Sequence, residues 1–266
     1  MRRSIESGVI EIRSTRGLGG FSLIELARHW EIAAWLAVRD LKLRYRQTAL
    51  GSIWAVLQPV TAAAVFTLFF GHLAHVSSDG LPYASFALAG AICWTYVSGA
   101  VADGANSLVT DRALVTKVYF PRILAPIAAG LPGLVDFVVA LVALVVTMAI
   151  QSVGPGWAVL LTPLWVLCLV LIAIGTGVWL AALNVKYRDV RYVLPFAVQL
   201  WLFASPVIYS PSYISGAWKY VYRAESARGA LNGFRWSVLS GPRPDRKSSC
   251  PLVRCCSFSS VRVRTS

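Results

Sequence analysis

Charge is what this chain has least of. Of its 266 residues only 14% are Asp, Glu, Lys or Arg, where a soluble domain carries about a quarter. Acidic residues number just 12, against 57% hydrophobic residues. The scarcity excludes an ordinary soluble fold, and apolar runs of about 18 residues or more exclude a merely greasy soluble α-protein. Five cysteines are too few and too scattered for a disulfide framework. Cys93 and Cys168 lie inside apolar runs, while Cys250, Cys255 and Cys256 crowd the last stretch at a spacing that fits no metal site. Catalytic and nucleotide motifs are missing too. No Gly-x-x-x-x-Gly-Lys-Ser/Thr loop, His-Glu-x-x-His pair or Ser/His/Asp set occurs, and Gly17-Leu18-Gly19-Gly20 lacks the lysine that grips phosphate. The expectation is a non-enzymatic chain with no resident metal or cofactor.

What is present is a set of long apolar runs. They predict an all-α polytopic membrane protein with five spans, at about 52–73, 81–102, 123–150, 157–183 and 192–209. Within residues 51–211 only six basic residues occur, as two clusters: Arg112, Lys117 and Arg122, then Lys186, Arg188 and Arg191. The connections 72–82 and 151–156 have none, so the basic connections mark the cytoplasmic side and the N-terminus lies inside. The net charge of +13 therefore reflects orientation and anionic headgroups, and nucleic acid is not expected as a partner.

Residues 1–20 read as a flexible N-terminus without a cleavable signal peptide. Over 21–50, Leu23, Leu26, Trp30, Ala34, Ala37 and Leu41 recur at helical spacing, with Arg39, Lys42 and Arg46 on another face. That pattern predicts an amphipathic helix lying in the membrane interface. The transmembrane domain covers 51–210. Within the connection after the second span, residues 105–118 read as a short amphipathic helix able to dock on a partner. The acidic residue deep in a span, Asp136 beside Pro132-Gly133, is read as a hydrogen-bonding partner for a neighbouring helix, with ion coupling as the alternative.

A chain with no energy source of its own is passive, ion-coupled, or driven by another subunit. Four blocks favour the last. Arg39-Asp40-Leu41-Lys42-Leu43-Arg44-Tyr45-Arg46-Gln47-Thr48 with Gly51, Trp54 and Leu57-Gln58-Pro59 resembles the start of permease subunits of ABC-2 type polysaccharide exporters. Leu114-Val115-Thr116-Lys117-Val118-Tyr119-Phe120-Pro121-Arg122, Asn184-Val185-Lys186-Tyr187-Arg188-Asp189-Val190 and Ser205-Pro206-Val207-Ile208-Tyr209 are similar to later blocks of that family, in order and spacing. The resemblance implies a homodimer in the bacterial cytoplasmic membrane, paired with two copies of an ATPase subunit that binds ATP and magnesium. It implies export of lipid-linked polysaccharide such as O-antigen, capsule or teichoic acid precursors, with drug or lipid export as the alternative.

The resemblance makes 105–118 a coupling helix, with Asn106, Leu108, Asp111, Arg112, Leu114 and Lys117 as its contact residues. Arg39, Arg44 and Arg46 are candidates to meet a lipid pyrophosphate at the entrance, since the guanidinium fork matches phosphate. Phe66, Trp94, Tyr96, Trp201 and Phe203 are candidates to line a sugar path, although belts and bundle packing use the same residue types. Residues 211–240 carry Trp218, Tyr220, Tyr222, Phe234 and Trp236, which suits re-entrant helices in the outer leaflet; the family has such helices here, before a sixth span. The stretch 241–266 has no apolar run, and ten of the 25 Lys and Arg residues follow Tyr209 on the expected outer side. A reading-frame change near Gly241 is the expected origin of this tail.

Overall fold

The computed structural model describes residues 29–46, 53–75, 80–111, 121–154, 156–187, 189–205, 207 and 226–239. Every element among them is helical. Helix α1, Trp30–Arg46, opens with Glu31 and closes with Arg44 and Arg46, the charge order a helix dipole favours. Helix α2, Ile53–Phe66, runs into a π-helical stretch, Thr67–Leu73. The longest helix is α3, Tyr83–Thr110. Helices α4, Leu124–Gly130, and α5, Gly133–Ile150, are separated at Leu131 and Pro132. A 3-10 turn, Trp157–Leu161, leads into α6, Thr162–Lys186. Helix α7 is Val190–Ala204 and α8 is Ser226–Leu239.

Four stretches are long and apolar enough to cross a membrane: Ile53–Leu73, Tyr83–Thr110, Leu124–Ile150 and Trp157–Lys186. They coincide with the first four expected spans, and the chain is an all-α, multi-pass membrane protein. The fifth expected span is a shorter helix. The 15 residues of α7 rise about 22 Å, less than the roughly 30 Å of a bilayer core. It stops where Ser205 turns extended, the conformation that a following proline imposes.

One boundary needs correction. The sequence ends the second span at about residue 102 and places a connection with a separate short helix, 105–118, after it. The second span instead continues as helix to Thr110, with Asp111 as its C-cap. The polar groups are tolerated there because each has a partner on another helix, as the next section describes. Residues 105–110 are thus the end of a span helix rather than part of a separate short one, and 112–120 lie outside the described residues.

Helix α3 is the centre of the bundle. Of its most apolar window 72% is buried, against 11%, 22% and 33% for the other three spans. Its small residues make this feasible. Ala100 and Gly104 meet Gly177 of α6 so closely that a Cβ on Gly104 would stand 3.3 Å from the Gly177 Cα. Lipid tails are as apolar as leucine, so helices in a membrane associate through such close packing rather than by escaping solvent.

At the opposite end from α1, α8 packs Leu231, Phe234 and Leu239 against α6, the 3-10 turn and the first half of α3. Gly233 lies flat on Trp165, where a Cβ would come within 2.3 Å of the indole. Rings continue edge to face from Phe234 to Phe137 at 5.7 Å and from Phe137 to Tyr96 at 5.8 Å. Arg235 is only 4% exposed. Its guanidinium lies 3.7 Å from the Phe86 ring centroid and donates to the Val207 carbonyl at 2.5 Å, in space that glycine at position 90 provides. Residues 211–225 and 241–266, including the three clustered cysteines, lie outside the described residues.

Candidate functional site

The polar residues gather where α1 meets the bundle. Ala33 and Leu36 of α1 pack on Leu124, Ala125 and Ala128 of α4, with Leu108 of α3 against the same cluster. The buried line of α1 therefore runs through Ala33 and Leu36, one position away from the expected Trp30, Ala34 and Ala37 face, and Trp30 and Trp35 point outward. Docking α1 this way turns two of its arginines inward.

Arg44 is clamped by two carboxylates on two different spans. Its Nη2 donates to Asp103 Oδ2 of α3 at 2.5 Å, and its Nη1 to Asp136 Oδ2 of α5 at 2.6 Å. The Tyr45 hydroxyl donates to the other oxygen of Asp136. Burial alone would lower the Arg44 pKa, but Asp103 and Asp136 together reverse that and raise it. Burial, and then the bond to Asp136, push Tyr45 up to about 12, so it keeps its proton and remains a donor at neutral pH. Asp136 is thus a hydrogen-bonded partner for another helix, as its position beside Pro132 leads one to expect.

A second arginine ties α1 to the end of α3. Arg39 Nη2 donates to both carboxylate oxygens of Asp111, at 2.9 and 3.0 Å, while its Nε donates to Asp40 at 2.9 Å. Its pKa is also raised, burial working against the shift and Asp40 and Asp111 producing it. Arg46 sits exposed on the last turn of α1. Two of the three arginines expected at the entrance therefore hold carboxylates of this chain.

The described members of the expected coupling set face inward as well. Asn184 of α6 donates to the Ala105 carbonyl at 2.8 Å and to Asn106 Oδ1 at 3.2 Å, joining α3 to α6. Leu108 seats the end of α3 under α1 and α4, and Asp111 holds Arg39. Arg112, Leu114 and Lys117 lie outside the described residues.

The aromatics do not form one row. Trp94 and Trp201 meet edge to face at 5.6 Å between α3 and α7. Phe66 at the end of α2 meets Phe70 of the π-helical stretch at 6.2 Å, and Phe203 is 55% exposed. Tyr96 lies elsewhere, in the wall of an open-sided cavity of about 330 Å³ between the end of α1 and α2, α3 and α5. The clamp of Arg44, Tyr45, Asp103 and Asp136 forms one side of this cavity, Gln58 and Trp54 of α2 another, and Thr95 and Ser98 of α3 add hydroxyls. Tyr96 is 4% exposed and its hydroxyl has no hydrogen-bond partner among the described residues.

Sequence reasoning overlooked Asp103, Tyr45 and Gln58 as members of one site. The available signal was the rule that an ionisable group within an apolar span must find a counter-charge. Asp103 and Asp136 are two such groups, and Arg44 is one of the few cations that precede the first span.

Residues 33–239 match the family described as ABC-2 type transporter. The chain belongs to that family. This ABC-2 transporter is similar to the O-antigen export system permease protein RfbA of Myxococcus xanthus, 32% identical over 190 residues that cover 71% of this chain and 72% of that protein. It is also similar to two proteins of the same name from Klebsiella pneumoniae, 21% and 19% identical over 207 residues, covering 76% of this chain and 78% of each relative. The expected family assignment holds, and with it the reading of a transport permease.

Proposed function

We propose that this chain is the membrane-spanning permease of a polysaccharide exporter, driven by a separate ATP-hydrolysing subunit. The observation that carries the reading is its likeness, over about seven tenths of both chains, to a protein named as an O-antigen export permease. The substrate is a lipid-linked polysaccharide carried outward across the bacterial cytoplasmic membrane. Two copies of the permease pair with two ATPase subunits, and the α1 end faces the cytoplasm. The exposed apolar faces of α5 (Val138, Val142, Val145) and α7 (Tyr192, Phe196) suit lipid and a second copy of the chain.

The segment 105–118 receives the push of the ATPase. Its described part is tied to α1 through Arg39 and Asp111 and to α6 through Asn106 and Asn184. Movement at 112–118 thereby reaches three helices together. Arg46, with Lys42, meets the phosphates of the lipid carrier at the interface, where both are exposed. Arg39 and Arg44 contribute only as far as their carboxylates release them.

The test is genetic and biochemical. Deleting the gene should abolish a surface polysaccharide, and the tagged chain should co-purify with an ABC ATPase. An unchanged cell surface would overturn the polysaccharide reading, and a purified complex without an ABC ATPase would overturn the ATP-driven one.

A further inference from the structure

The charge of the cavity beside α1 is opposite in sign to what a phosphate-gripping entrance requires. Its lining carries one cation, Arg44, against two carboxylates, Asp103 from α3 and Asp136 from α5, while α2 contributes the neutral Gln58 and Trp54. Both arms of the Arg44 fork are already used on those carboxylates. A phosphate placed here meets an excess negative charge in a partly buried setting, where like charges repel more strongly than in water. The cavity nevertheless has features of a binding site. Its volume of about 330 Å³ lies at the lower end of the small-molecule range. Its wall holds a hydroxyl, Tyr96 OH, that is buried and without a partner among the described residues.

We propose that this cavity is a docking site for an uncharged, hydroxyl-rich unit, a single sugar residue of the transported glycan, and that its charge turns the phosphate end away. The inference rests on the polysaccharide reading above and names which part of such a substrate the site takes. Sugar hydroxyls donate and accept at once, and the wall offers both kinds of group. Asp103 and Asp136 keep carboxylate lone pairs beyond those that Arg44 and Tyr45 use, the Gln58 amide both donates and accepts, and Tyr96 has a hydroxyl without a partner among the described residues. Aromatic rings of Tyr96, Phe137 and Trp54 border the same space and suit the apolar face of a pyranose. Sorting by charge places the sugar inside the protein wall and leaves the phosphates among the exposed Lys42 and Arg46 at the interface.

The experiment uses the full chain in lipid nanodiscs and saturation-transfer NMR. Probes are the neutral methyl α-glycosides of glucose, galactose and mannose, with glucose 1-phosphate as the charged counterpart. At least one neutral glycoside should bind and glucose 1-phosphate should not. Tyr96→Phe, which removes one hydrogen bond while keeping the ring, should weaken binding about tenfold. Asp103→Asn, which removes one negative charge, should let glucose 1-phosphate bind. Equal or stronger binding of glucose 1-phosphate to the unaltered chain overturns the proposal, as does a Tyr96→Phe variant that binds like the parent or a panel that gives no binding. A deletion strain separates the two levels. Loss of surface polysaccharide with failed probe binding sinks the site alone, whereas an intact surface sinks the polysaccharide reading beneath it.

Discussion

Arg44 does the work of three helices with one side chain. Its planar fork reaches Asp103 on α3 and Asp136 on α5 from the end of α1, two directions that a lysine ammonium on a flexible stem does not satisfy together. Arg44→Lys is therefore expected to destabilise the detergent-purified protein, and Arg44→Gln more so, by about 1 kcal/mol for ion pairs that are partly open to solvent. Thermal unfolding measures both. A double-mutant cycle with Asp103→Asn should show a coupling of about 0.5–3 kcal/mol, and strict additivity would mean that the contact contributes nothing. The sequence revealed the chemistry of these residues and not their pairing. Arg44 precedes Asp136 by two spans, and only the path of the chain decides that they meet. Tyr96 shows the same limit. Its residue type pointed to a sugar path, but which of five aromatics would face a polar cavity depends on the rotation of α3, which apolar composition all round the helix leaves unspecified.

Among the elements, the spans were legible because their signal is length and apolarity, and those depend little on tertiary context. Boundaries at polar ends were not, since Asp103 and Asn106 look as if they lie past the span until Arg44 and Asn184 are seen beside them. The glycines of α3, α6 and α8 also gave no advance notice of what they touch. Gly177→Leu is expected to drive α6 off α3, because the space opposite is backbone of Ala100 and Gly104 and cannot move aside. Loss of the folded peak on size-exclusion chromatography checks it, and a normal peak would refute the close approach. Gly233→Ala has a milder expectation, overpacking of about 1–3 kcal/mol against Trp165, which Trp165→Leu in the same chain should partly relieve.

For the whole molecule, the prediction concerns transmission between subunits. Charge reversal at Arg112 and Lys117 should leave membrane insertion and the amount of protein unchanged while export falls severely. Quantifying surface polysaccharide beside a membrane-fraction blot measures both, and undiminished export would remove residues 105–118 from the role of ATPase contact. Asp111→Asn should behave differently, because Asp111 holds Arg39 of α1. It is expected to loosen α1, seen as faster protease cleavage near residue 47, as well as to weaken export.

The seam between α3 and α6 bears on how such a push would travel. Where Gly104 meets Gly177, main chain lies against main chain, with no long side chain between them to swing and absorb a displacement. Asn184 then pins the same two helices at one end. The pair behaves as a single strut, about 42 Å long over the 28 residues of α3. A thrust applied at its α1 end would be carried by both helices together toward the end where α8 rests.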